Sequence, residues 1–314
     1  MLRRVASLLF WTARNLERAE WRARLADVNY RLLVESHAGS NEGWLPLLAI
    51  TGDREEFSAR YPSTADEQSV LEFFTIDETN PSSIRSCIGF ARENCRALRN
   101  HISSEMWLEV NTLYLDAQRW TVDMFHEYGV YEFFFELRER FYRISGVVQN
   151  TTRRDLGYDF LTIGRMLEAA ENVTRLLDVK YHFLLPHPND VGSALDLSQW
   201  AAVLRSASAL EAYIGTYGNA IKIEKVVEFL LFDETFPRAA RFCVGQLEAA
   251  LDRAGAAGQS EGEAVPAVRM LAKRLRSGSA RAVIGNGLHE YLLGVQEDCA
   301  RISDEVFARY LRFE

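Results

Sequence analysis

At 314 residues, 48% apolar and 25% charged, the chain has the composition of a soluble globular protein and enough length for two ordinary domains or one larger body. Its formal charge of −8 argues against nucleic-acid binding through a general basic footprint. No apolar run approaches the roughly 20 residues of a membrane helix. Cys87, Cys95, Cys243 and Cys299 lie far apart without a CxxC and read as reduced core thiols of a cytoplasmic protein.

Met1 to Ala13 imitates a signal peptide, with two arginines ahead of a mostly apolar stretch. It runs straight into charged sequence without an Ala-x-Ala site, and so reads as the start of a helix. Periodicity predicts that helix over residues 4–36. At the roughly 100° per residue of an α-helix, Arg14, Glu17, Glu20, Arg24 and Asp27 fall on one arc, with Arg18 next to Glu17. Trp21, Val28 and Leu32 share that arc, which places the charges inside a helical bundle. Buried carboxylates must be closed by their own arginines or by a ligand. The alternative is a solvated ladder in which the Glu20 to Arg24 pair contributes only about 0.2–0.5 kcal/mol.

Residues 37–68, rich in Gly, Ser, Asn and Pro, read as a lid or a packed irregular segment holding a short helix around Trp44 to Ile50. A short apolar helix from Val70 stops ahead of Pro81, because the residue before proline is pushed out of the helical region. A long helix over 82–103 carries the row Arg85, Arg92, Arg96 and Arg99 beside the apolar row Ile84, Ile88, Ala91, Cys95 and Leu98. The arginine row is either a solvated face or a contact for an anion or acidic substrate. A further helix over 105–126 and an aromatic one over 130–142 complete the first half; Phe133 to Phe135, Tyr131, Phe141 and Tyr142 are expected in packing rather than as a stacking platform for bases.

The leading block then returns. Arg165, Leu167, Glu168, Glu171, Arg175, Leu176, Asp178, Val179 and Tyr181 repeat Arg14, Leu16, Glu17, Glu20, Arg24, Leu25, Asp27, Val28 and Tyr30 in order and spacing. Val226 to Pro237 likewise repeats Val70 to Pro81, with Arg241 and Cys243 matching Arg85 and Cys87. Such self-similarity predicts an all-α protein made by tandem duplication of a helical bundle of about 155 residues, with repeats at 1–150 and 151–314 packed about a pseudo-twofold axis. On that arrangement the two leading helices meet near the axis and bring Glu17, Glu20, Glu168 and Glu171 close to their arginines. The second copy has Glu248, Asp252 and Gly255 where Arg92, Arg96 and Arg99 map, so only the first half carries a cationic stripe. Residues 184–192 read as a loop, 198–217 as a helix, 253–263 as a connector, and the last helices run to Glu314. Strands find no support.

Signatures of known chemistry are missing. There is no P-loop, GxGxxG, GxSxG or HExxH, and none of the six histidines follows a glutamate by three residues as a di-iron bundle requires. The paired glutamates could hold Mg²⁺, but adjacent arginines oppose a cation, so no metal and no cofactor is expected.

Trp11 to Glu20, Asn80 to Asn94, Ile102 to Trp107, Thr152 to Asp155 and Leu204 to Tyr213 together resemble the bacterial alpha-E family, an all-helical domain of unknown function named for a glutamate-arginine motif. The resemblance covers nearly the full chain and maps the motif onto Glu17-Arg18; the second copy reads Glu168-Ala169, leaving any role of the arginine to the first half. Members are encoded beside an ATP-grasp protein and a transglutaminase-like protein, which implies work on a peptide-like amide product. The resemblance therefore implies a helical accessory subunit of an ATP-grasp ligase, with no nucleic acid or membrane partner. In that role the charged arc and the stripe Arg85, Arg92 and Arg96 would face an acidic or amino-acid-like substrate or the partner. The alternatives are an enzyme using its glutamates as acid and base on an amide, or a purely structural interaction protein.

Overall fold

The computed structural model of the chain describes residues 2–36, 41–61, 65–183, 193–256 and 263–311. Among them there are α-helices, short 3₁₀ and π turns, and no strand. No helix of the described residues is long and apolar enough to cross a membrane. The chain divides into two compact units, Met1–Arg165 and Met166–Arg312.

In the first unit α1 (Arg3–Ser36) is followed by three short helices, α2 (Leu45–Thr51), α3 (Arg54–Arg60) and α4 (Glu67–Thr75). Then come α5 (Ile84–Ala97), α6 (Ser104–Ala117), α7 (Asp123–Tyr128) and α8 (Val130–Thr151). α1 packs on α5 and α8, and α6 packs on the same two, so four long helices close around one core. Phe10, Leu25, Ile88, Cys95, Val110 and Phe134 are buried in it. Local sequence sets where the helices start. Asp66, Ser83 and Ser103 each accept a bond from the backbone N–H three residues on, at 2.8, 3.1 and 3.1 Å, filling donors that a helix end leaves open.

α9 (Leu156–Phe183) begins in the first unit and continues into the second. α10 (Ala194–Ser206), α11 (Leu210–Tyr217), α12 (Ile223–Val227) and a π turn, Glu228–Phe232, lead to α13 (Ala240–Ala256), α14 (Ala264–Ser277), α15 (Ala280–Asn286) and α16 (Leu288–Val306). α14 packs on α13 and α16, and the π turn lies against α13, α14 and α15.

Three expected helices are shorter than their periodicity suggests. The stretch 82–103 is helical only to Ala97, because Ser103 stops acting as helix interior and caps α6. The stretch 105–126 breaks after Ala117. The stretch 198–217 divides at Ser208, whose φ of 51° is incompatible with a right-handed helix. The expected loop 184–192 and residues 257–262 of the expected connector lie outside the described residues. Of the aromatic run, Phe133, Phe134 and Phe141 are buried, whereas Phe135 and Tyr142 are exposed, because a run that wraps right round a helix cannot all face one core.

Several local geometries occur in both units. Asp77 Oδ1 accepts from the backbone N–H and hydroxyl of Thr79 at 2.8 and 2.7 Å, and Asp233 Oδ1 from those of Thr235 at 2.7 and 2.8 Å. Gly129 and Gly287, at φ 93° and 108°, open α8 and α16, each with a glutamate three residues on folded against it. α6 and α8 are tied by Asp116 and Arg140 at 3.0 Å, α14 and α16 by Arg274 and Asp298 at 3.1 Å, with the charges exchanged.

Gly164 of α9 marks a close helix approach within the first unit. A Cβ there would fall on the carbonyl oxygen of Phe10 and lie 3.3 Å from the Ala13 Cβ. The obstacle is backbone, which cannot swing aside. Gly164→Val should therefore cost about 2–3 kcal/mol by overpacking, outweighing a gain in helix propensity of a few tenths of a kcal/mol. Urea unfolding measures this, and a midpoint equal to wild type would mean that the helices can part freely.

Candidate functional site

The charges that α1 carries are largely buried: Arg14, Glu20, Arg22, Arg24 and Asp27 are all inside, and Glu17 and Arg18 are half-buried. Arg24 pairs with Glu20 one turn earlier. Arg14 lies 5.8 Å from the centroids of both the Phe10 and Trp11 rings. Arg22, whose position lies off the predicted arc, pairs with Asp53 and stacks 4.2 Å over Phe74. It thereby ties the short-helix segment to α1.

Asp27 is the centre of the set. It is wholly buried, and it receives Arg31 Nε at 2.9 Å and Nη2 at 3.1 Å, with Arg138 Nη1 from α8 at 2.9 Å. Fork-like donation from Arg31 fixes the plane of its guanidinium as well as neutralising the carboxylate. Arg31 rests 4.3 Å over the Tyr131 ring. Sequence reasoning missed both arginines. Arg31 was within reach, being one turn after Asp27 on the same arc; Arg138 was not, because nothing in the sequence says which helix lies against that arc.

The arginine row of α5 is engaged mainly with α6. Arg92 bonds Asn111 Oδ1 at 3.2 Å, pairs with Glu93, and lies 5.0 Å from the Tyr114 ring; Arg99 lies 4.9 Å from Trp107. Arg85 donates to the Trp120 carbonyl and stands 3.8 Å from Glu78. Arg96 pairs with Glu93 at 2.7 Å and is exposed. These contacts make the row an α5 to α6 clasp more than an open stripe.

In α9, Glu168 and Glu171 are buried and Arg165 is half-buried. Arg175, the counterpart of Arg24, is exposed. Asp178 instead bonds His289 Nδ1 of α16 at 2.6 Å. Further along, Lys180 is fully buried with Asp196 Oδ1 at 3.1 Å, Gln199 Oε1 at 2.6 Å and the Trp200 ring at 5.2 Å. Burial pushes its ammonium below its ordinary range, partly countered by Asp196. Tyr181, the last repeated position, has no described side chain. Among the described residues no three His, Cys, Asp or Glu side chains are grouped to hold a metal.

An all-helical chain with a glutamate-arginine pair fits the description of one family. The match is to Alpha-E, "a predicted alpha-helical domain with a conserved ER motif", over residues 1–311. The chain belongs to the Alpha-E family. Its Glu17-Arg18 pair is half-buried on α1. Similar curated proteins include uncharacterized proteins of Mycobacterium bovis and of Mycobacterium tuberculosis, each 24% identical over 353 residues. Those alignments take in 98% of this Alpha-E chain but only 37% of each mycobacterial protein, so the chain spans little more than a third of their length. No solved structure matches.

Proposed function

We propose that this Alpha-E chain is a helical accessory subunit of an ATP-grasp peptide or amide ligase, and that it binds or positions an acidic or amino-acid-like substrate. What supports the reading is membership of the Alpha-E family over residues 1–311, together with the resemblance that sets members beside an ATP-grasp protein; the matched stretch is 37% of the mycobacterial relatives. ATP chemistry would then belong to the partner, and the family resemblance makes that partner an ATP-grasp ligase. The cytoplasm is the proposed compartment, supported by four buried cysteines outside any disulfide.

The chain is also inferred to have arisen by duplication. The matched Asp77 and Asp233 turns, the Gly129 and Gly287 helix starts, and the charge-exchanged ties of α6 to α8 and α14 to α16 all support this. On this reading the two halves have diverged: the first keeps an aspartate closed by two arginines, the second has one closed by a histidine.

The test is coexpression with the neighbouring ligase, followed by size-exclusion chromatography and an ATP-consumption assay. Co-elution and faster ATP use are expected on adding the chain. Separate elution with unchanged consumption would remove the proposal.

A further inference from the structure

α6 covers the core of the first unit with one side and turns two leucines to water with the other. Met106, Val110, Leu113 and Ala117 are buried. Leu108 and Leu115 each follow a buried position by two residues, which sets them about 200° round the helix from it, away from the core. They are 62% and 50% exposed. At heptad spacing both lie on one outward ridge.

Single exposed leucines are ordinary, but α14 shows that a helix of this pattern does without them. Ala264, Val268, Leu271 and Leu275 of α14 are buried at the same spacing as the four buried residues of α6. Its corresponding outward positions hold Pro266 and Lys273, both exposed. Covering a core therefore does not call for leucine on the outer side.

The two flanks of the ridge carry opposite charge. On the α5 flank Arg92 bonds Asn111 at 3.2 Å and Arg99 lies 4.9 Å from Trp107, while Arg96 and Arg99 are exposed; against these arginines stands Glu93. On the α8 flank Glu109 stands 3.9 Å from Arg143, and Asp116 3.0 Å from Arg140. Glu105, one turn before Glu109, and Glu136 and Glu139, one turn before Arg140 and Arg143, share those helix faces and are exposed. Arginines thus outnumber carboxylates on the α5 flank, and carboxylates outnumber arginines on the α8 flank.

We propose that this face docks a second copy of the chain, ridge against ridge, about a twofold axis that runs along α6. Such an interface presents the same patch from both sides, so the patch must complement itself. With the axis along α6 the two helices run parallel, and the cationic α5 flank of each copy lies over the anionic α8 flank of the other. With the axis across α6 they run antiparallel and like flanks meet, which is repulsive. Charge selects the parallel arrangement, and Leu108 and Leu115 of both copies leave water at its centre. This pairing is independent of the accessory role proposed above.

Multi-angle light scattering and sedimentation equilibrium of the full chain test it. At ~100 μM the wild type is expected at twice its chain mass of 35.8 kDa. Leu108→Asp with Leu115→Asp should leave a monomer with the circular dichroism of the wild type, since both side chains point away from the core. Arg96→Glu with Arg99→Glu makes both flanks anionic, and Glu105→Lys with Glu139→Lys makes both cationic. Each pair of changes should weaken self-association by about ten-fold or more. The two variants mixed should pair with each other, because every flank then meets its opposite, a result that a general loss of folding would not produce. A monomeric wild type at that concentration, a dimer that survives the two aspartates, or a mixture that pairs no better than its components would each overturn the proposal.

Discussion

Asp27→Ala is expected to destabilise the first unit by about 3 kcal/mol, because it removes the buried carboxylate that pairs with two guanidiniums. The value sits at the low end for a broken buried ion pair. Arg31 and Arg138 are partly exposed and can take up water once the carboxylate is gone, whereas Asp27 itself has no such recourse. Removing Arg138 instead should cost less, since Arg31 still holds both carboxylate oxygens. With a urea dependence of about 2 kcal/mol per molar, the Asp27→Ala midpoint should fall by roughly 1.5 M. Glu93→Ala, at an exposed pair, should shift stability by no more than about 0.5 kcal/mol. Equal shifts for Asp27 and Glu93 would mean that the central trio is not a structural closure at all.

Lys180→Met should cost the second unit about 3–4 kcal/mol, for the complementary reason: it leaves the Asp196 carboxylate in the interior without the ammonium beside it. Methionine fills the same volume, so lost packing is minor. Lys180→Met with Asp196→Leu should recover most of the loss, since replacing both members of a buried pair by apolar groups is close to neutral. A double variant as unstable as the single one would show that the pair is not the cause. The pH dependence has a definite sign. Burial lowers the folded-state affinity of Lys180 for its proton, so below its ordinary 10.5 the unfolded chain binds more proton there than the folded one does. This contribution makes stability rise as pH climbs through the lowered folded value toward 10.5. The difference between wild type and the double variant should therefore move in favour of wild type on the alkaline side, and a difference flat with pH would contradict it.

The amino-acid sequence by itself determined that the chain is of the all-helical class, where α1 begins and ends, and that most of its charged arc is buried. Periodicity carries that information: Trp21 and Val28 share a face with Glu20, Arg24 and Asp27, and a face that includes them must be covered. The Glu20 to Arg24 pair was legible for the same reason, and so was Arg31, one turn beyond Asp27, although it was overlooked. Helix ends were less legible, because a break such as Ser208 is a backbone conformation that three neighbouring apolar turns do not announce.

Only the tertiary structure decided who meets whom. Asp27 is closed by Arg138, which is 111 residues away in the sequence, and Arg22 by Asp53. The α5 arginines that look like an open stripe fold onto Trp107 and Tyr114 of α6. Arg175, placed like Arg24, stays in solvent. A helical period specifies which residues share a face; it is silent on which helix packs there and at what rotation, and the partners of buried charges are set by that packing.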